Sequence, residues 1–215
     1  MPETLLLFVR HAETVDNVAE RLSGWTDSGL SPRGEAQVAL LAEHVNRAHG
    51  HAAALYASPL VRTRRTAEAI GALTGHEPTY DPDLREMHFG EVDGLLLHEV
   101  RARHAHLLVG DEEADDDAFG WPGGETRAQF VARVRRVVDR IAAAHPGEHV
   151  AVVTHGGVIS TFLALLHDEP AAAWRRWLVG NASLTEVAWD PAAGRGRLLR
   201  RGDDAHLADM TADEA

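Results

Sequence analysis

Two runs of apolar residues, Leu5-Leu6-Leu7-Phe8-Val9 and Val150-Ala151-Val152-Val153, are uninterrupted by any polar position. A strand with one wet face alternates, whereas a strand covered on both faces reads as a short continuous run. Ala53-Ala54-Leu55-Tyr56-Ala57 is a third candidate strand. Helical periodicity fills the intervals. Ser31-Pro32 opens a segment that sets Ala36, Leu40, Leu41 and Val45 on one face. Ser58 followed by Pro59 reads as an N-cap and first helical position, leading into Leu60, Ala67, Ile70 and Leu73. A longer helix is predicted from about Glu125 to Ala144, carrying Phe130, Val134, Val137, Val138 and Ile141. Val158 to Leu166 is nearly all apolar, as a buried helix would be. Near the end, Leu184 to Trp189 and Arg197 to Leu199 read as strands around the turn Asp190-Pro191. Strands alternating with helices predict an α/β class, a three-layer α/β/α architecture with a mostly parallel central sheet.

Composition narrows the chemistry. The 215 residues suit a single domain with a full core. With no cysteine, disulfides, thiolate metal sites and cysteine nucleophiles are excluded. The net charge of −12 argues against nucleic acid as a partner, because phosphate backbones are met by basic faces. No uncharged run approaches the roughly 18 residues a membrane span needs. The start lacks the basic region and apolar length of a signal peptide, so a cytoplasmic location is expected. The acidic stretch Asp111 to Asp117 reads as a loop, and no internal repeat is visible.

The candidate chemistry sits where the strands end. Arg10-His11 follows the first strand directly, and Thr154-His155-Gly156-Gly157 follows the later one. In open α/β sheets ligands bind beyond the carboxyl ends of the strands, so the two histidines can converge there. Arg10 offers a guanidinium matched to phosphate oxygens. Gly156-Gly157 lets backbone N–H groups approach an anion at a helix N-terminus. Arg62 lies near the start of the helix after Ser58, again close to a positive helix end. Together these residues describe a phosphate pocket.

The motif Arg10-His11-Ala12-Glu13-Thr14, with Asn17 after it, resembles the signature of the histidine phosphatase superfamily, which includes the phosphoglycerate mutases. Arg21-Leu22-Ser23-Gly24-Trp25-Thr26-Asp27, Ser58-Pro59-Leu60-Val61-Arg62-Thr63 and Leu84-Arg85-Glu86 are similar to the same family. So are Thr154-His155-Gly156-Gly157, Asn181-Ala182-Ser183 and Asp204-Ala205-His206-Leu207, while Pro122-Gly123-Gly124-Glu125-Thr126 resembles its phosphatase branch. The resemblance covers nearly the whole chain in order. It implies a phosphoglycerate mutase-like fold in one domain, residues 1–215, with a cap-like insertion at about 89–124.

It also implies roles. His11 would be the nucleophile, and Arg10, Arg62 and His155 would bind the phosphoryl oxygens and stabilise charge. Glu86 would protonate the leaving alkoxide and then activate water. Asn17, the backbone of Ser23 and Gly24, and Gly156 would complete the substrate contacts. The resulting expectation is a histidine acid phosphatase-type phosphomonoesterase, working through a phosphohistidine on a small phosphorylated metabolite without metal or cofactor. A homodimer is compatible with the sequence, and neither nucleic acid nor membrane is expected as a partner. The family usually has Gly where this chain has Ala12; were positive φ needed there, the methyl would cost roughly 1 kcal/mol.

Two alternatives share the fold: a cofactor-dependent phosphoglycerate mutase and a non-catalytic phosphate-binding member. The stretch from Glu86 to His155 is short for a mutase, and the segment after Gly94 reads Leu95-Leu96-Leu97, with Arg101 and Arg103 not adjacent. With Asp111 to Asp117 this points to a phosphatase; the apolar and acidic content of Phe89 to Gly124 suggests a neutral or modestly sized leaving group, and Trp25 and Trp121 are candidate lining residues. His98, Glu99, His104 and His106 form the best candidate for a metal cluster, but their spacing matches no familiar zinc motif.

Overall fold

The computed structural model describes residues 2–104, 120–208 and 210. Its strands are β1 (Thr4–Arg10), β2 (Ala54–Ala57), β3 (Thr79–Tyr80), β4 (His149–Thr154), β5 (Leu184–Asp190) and β6 (Arg195–Asp203). Its helices are α1 (Val15–Val18), α2 (Pro32–His49), α3 (Val61–Thr74), α4 (Leu97–Arg103), α5 (Arg127–Ala144) and α6 (Gly156–Leu166), with several short 3₁₀ turns between them. The six strands form one sheet in the order β3-β2-β4-β1-β5-β6. The first four run parallel, and β5 and β6 add an antiparallel edge.

The apolar runs are continuous because both faces of the sheet are covered. Along β1, Leu6 and Phe8 join one core with Phe130, Val134, Val137 and Ile141 of α5 and Ile159 and Phe162 of α6. Leu7 and Val9 face the opposite way, into a second core with Val38, Leu41 and Val45 of α2 and Ala67 and Ile70 of α3. Successive side chains of a strand point to opposite faces, so one run feeds two layers. The result is an α/β/α arrangement about a mixed sheet. Registered pairs such as Leu6 with Val150 and Val9 with Val153 bring the ends of β1 and β4 level, which delivers His11 and His155 side by side.

Several local expectations differ from the structure. The helix after Ser58 begins at Val61; Leu60 occupies the cap position and no side chain caps it. The Ser58 hydroxyl is instead 2.8 Å from Nε2 of His155. Of the apolar residues named on that helix, Ala67 and Ile70 are buried but Leu73 is 48% exposed. On α2 the inner face is Gly34, Gln37, Val38, Leu41, Ala42 and Val45, one step round from the predicted Ala36 and Leu40. Strand β6 outruns Arg197–Leu199 in both directions, and β3 and α4 were not anticipated. Ala12 has no positive φ, so its methyl carries no backbone strain, and it is fully buried in the second core. The acidic run 111–117 and His106 lie outside the described residues.

Candidate active site

A cavity of about 690 Å³ opens at the carboxyl ends of β1 and β4. Arg10, His11, Asn17, Ser23, Arg62, Glu86 and Gly156 all contribute to its wall. His155 and Gly24 do not.

His11 follows β1 and is nearly inaccessible, at 4% exposure. Its Nδ1 lies 2.8 Å from the carbonyl oxygen of Ala12. A carbonyl can only accept, so Nδ1 carries the proton and Nε2 keeps its lone pair. Burial, reinforced by the Arg62 and Arg10 guanidiniums, holds the imidazole well below the ordinary histidine pKa. The loop is fixed from behind: the amide of Asn181 donates to the His11 carbonyl and to the Asn17 side-chain oxygen, both at 3.1 Å.

His155 stands edge-on to His11, with ring centroids 5.2 Å apart. Arg62 Nε donates to its Nδ1 at 3.3 Å, which leaves the proton on Nε2 to be donated to Ser58. Both nitrogens are therefore engaged inside the protein. Burial, with Arg62, also keeps this ring well below the ordinary histidine value. Arg62 is itself buried and donates further to the carbonyls of Thr26, Ser23 and Gly24. Most of its five N–H donors are thus spent on holding the Ser23–Thr26 loop. The N–H of Gly24, expected to meet substrate, donates instead to Asp93 at 2.8 Å.

Arg10 donates to the carbonyl of Val179, and its buried Nε has no hydrogen-bond partner among the described residues. Burial lowers its pKa while Glu86 raises it. Glu86 enters from the loop after β3. One carboxylate oxygen accepts from the N–H of Gly157 at 2.8 Å and the other from Met87 at 2.9 Å. Arg133 on α5 donates to the backbone carbonyls of Asp83, Arg85 and Glu86 and to the Glu125 carboxylate. Sequence reasoning missed Arg133, although its place three residues after Phe130 and four before Val137, on the apolar face of α5, was a usable signal.

It missed other members too. Ser58 was read as a cap, and Arg101, Arg127 and Arg175 line the cavity although no motif marked them. Trp121 lines it with Phe89 and Trp174, whereas Trp25 packs on His88 and donates to the Glu86 carbonyl from outside. Glu13 is tied to Ser31 and Arg33 and does not reach the cavity. Among the described residues no three His, Asp or Glu side chains are grouped as metal ligands, and no helix is long and apolar enough to cross a membrane.

A neutral, oriented imidazole among buried cations with a carboxylate in the same cavity is equipped for phosphoryl transfer. Residues 6–203 match the family model of the histidine phosphatase superfamily (branch 1), and the chain belongs to that family. It is 33% identical over 214 residues to a probable phosphoglycerate mutase GpmB of Erwinia tasmaniensis, covering 96% of each chain. Among solved structures it resembles a mycobacterial glucosyl-3-phosphoglycerate phosphatase, at 30% identity and TM-score 0.79, covering 94% of this chain and 100% of that one. It also resembles YhfR of Bacillus stearothermophilus, at 29% identity and TM-score 0.84, covering 95% and 99%.

Proposed function

We propose that the protein is a phosphomonoesterase acting through a phosphohistidine on a small phosphorylated metabolite. The observation that carries this reading is His11, whose Nδ1 proton is held by Ala12 and whose unprotonated Nε2 belongs to a cavity shared with Arg10, Arg62 and Glu86. The Nε2 lone pair attacks phosphorus, forming the P–N bond as the ester P–O bond breaks. Glu86, protonated, gives its proton to the departing oxygen. In the second half a water attacks phosphorus, Glu86 takes its proton, and the P–N bond breaks to release phosphate and neutral His11. The Arg10 Nε, the Arg62 guanidinium and the Gly156-Gly157 end of α6 supply the cationic surround for the equatorial oxygens. For the Nε2–H of His155 to reach such an oxygen, it exchanges its bond to Ser58.

The test is hydrolysis of phosphate esters by the parent and by His11→Ala, with an alkaline quench to trap the acid-labile phosphohistidine. Turnover by His11→Ala near the parental rate overturns the assignment. The mutase reading is favoured by the names of the relatives. Phosphoglycerate supplied with 2,3-bisphosphoglycerate discriminates the two: a phosphatase releases inorganic phosphate, whereas efficient interconversion of phosphoglycerates identifies a mutase.

A further inference from the structure

Residues 85–89, which carry Glu86, belong to no helix or strand. Their carbonyls have no ladder to satisfy them, and a carbonyl shut off from water and left unpaired is costly. Arg133, from the second turn of α5, supplies the missing donors. Its Nη1 donates to the carbonyls of Asp83 at 2.8 Å and Arg85 at 2.7 Å, and its Nη2 to that of Glu86 at 3.1 Å. Nε and Nη2 also donate to the two oxygens of Glu125, at 2.7 and 2.6 Å. All five N–H donors of the guanidinium are thereby engaged. Phe130, one turn earlier on α5, lies beneath it, with 4.9 Å between guanidinium carbon and ring centroid.

Glu125 grips the other side of the same segment. Its Oε2 accepts the N–H of His88 at 2.9 Å. The pair therefore holds the backbone on both sides of Glu86, whose carboxylate points away to the N–H groups of Met87 and Gly157. Neither Arg133 nor Glu125 lines the cavity, so any effect on the chemistry passes through Glu86. Their side chains are only 8% and 17% exposed. Stability is a weak reason for such a pair, because two charges withdrawn from water recover little more than the hydration they lose. Placement of the acid is a stronger one, since a shift of about 1 Å in a reacting group can cost on the order of 10² in rate. Arg136 and Arg140, further along α5, reach the carboxylates of Asp83 and Asp81 instead. Those contacts are exposed and touch side chains ahead of Glu86, where ion pairs contribute little.

We propose that Arg133 and Glu125 are positioning residues that hold the Glu86 carboxylate in the pose from which it exchanges a proton with the leaving oxygen. This role rests on the phosphomonoesterase reading, which supplies the proton to be transferred. It also requires the fork of a guanidinium: a lysine ammonium keeps the charge but offers three donors from one point, too few for five acceptors spread around a plane.

The test compares Arg133→Gln, Arg133→Lys and Glu125→Gln, each checked for folding by circular dichroism, on glycerol phosphate and p-nitrophenyl phosphate. Both Arg133 variants should lose at least about tenfold more kcat/KM on the alkyl ester, which needs the acid, than on the aryl ester. Glu125→Gln, which sets an N–H donor against the others, should shift the ratio the same way by about threefold or more, and it carries the test if the Arg133 variants do not fold. In a Glu86→Gln background Arg133→Gln should cost little further, because nothing is left to position. Arg136→Gln, which frees only the Asp83 carboxylate, should keep the parental ratio. Equal losses on the two esters, full additivity with Glu86→Gln, a parental ratio in Arg133→Lys, or the same shift in Arg136→Gln overturns the proposal. The pose is also read without turnover, from the amide resonance of Gly157 in ¹⁵N-labelled protein, whose N–H meets the Glu86 carboxylate. Arg133→Gln and Arg133→Lys should move that resonance in the direction that Glu86→Gln does. An unmoved resonance in the folded variants overturns the positioning role. The expected movement in a protein that hydrolyses neither ester upholds the positioning and counts against the phosphatase reading.

Discussion

The carboxylate of Glu86 rests on the backbone of Gly157: its Oε2 accepts the glycine N–H at 2.8 Å. A Cβ at residue 157 would overlap the same carboxylate group. The glycine is therefore what allows the acid to sit at the start of α6, next to the histidine loop. With the Thr154 hydroxyl, which donates to the Leu84 carbonyl at 2.7 Å, this contact ties the segment after β3 to the end of β4.

Gly157→Ala should accordingly separate stability from activity. The obstructed atoms are the tip of a flexible side chain, and replacing a helical glycine with alanine contributes up to about 1 kcal/mol in the helix's favour. The melting temperature should be unchanged or slightly raised. Turnover of alkyl phosphates should nevertheless fall by roughly 10² or more as the carboxylate is displaced. Parental kcat/KM in a folded Gly157→Ala protein would remove this contact from the mechanism.

Glu86→Gln probes the acid itself. An alkoxide needs a proton to leave, whereas p-nitrophenolate is stable as an anion. General acid catalysis contributes on the order of 10²–10⁴, so the variant should lose far more on a sugar or glycerol phosphate than on p-nitrophenyl phosphate. If His155 exchanges Ser58 for a phosphoryl oxygen, as proposed, His155→Ala removes charge stabilisation common to both substrates and should slow them comparably. Equal losses in Glu86→Gln exclude it from the acid role. Glu13, the nearest carboxylate in sequence to His11, is no substitute, because Ser31 and Arg33 hold it outside the cavity.

The buried histidines make stability depend on pH in a defined direction. His11 and His155 are held neutral in the folded protein, with pKa values well below the ordinary 6.5. In the unfolded chain they bind protons near that value. Their contribution is therefore fully present above about pH 6.5 and is lost as pH falls from there towards the depressed folded values. Each contributes a slope of about 1.4 kcal/mol per pH unit in that window. Urea unfolding at pH 7.5, 6.5 and 5.5 should show the parent losing stability on acidification. His11→Gln should lose it less steeply, by about one proton's worth. Superimposable slopes for parent and variant mean that His11 is protonated in the folded state.

The sequence by itself determined the main strands and helices and their order along the chain. The five-residue run Leu5–Val9 is too short for a buried helix and lacks the alternation of a strand with one wet face, so it reads as a covered strand, while the 3.6-residue stripe from Phe130 to Ile141 reads as one face of a helix. It also determined which histidines and arginines stand at strand ends, because Arg10-His11 and Thr154-His155 follow their strands without a spacer. Tertiary structure decided what those groups do to one another. Ser58 carries the local signature of a helix cap, yet its hydroxyl lies against His155, because β2 ends level with β4 and a buried imidazole N–H must find an acceptor. Arg62 stood out in the sequence by its place near the start of α3, but only packing shows that its guanidinium is buried among loop carbonyls while that of Arg65 stays on the surface. Arg101, Arg127 and Arg175 are scattered over 75 positions and share no motif, and they belong to one cavity only after folding. Local patterns report the path of the backbone, while convergence of distant charges depends on where the elements pack, which no short-range periodicity encodes.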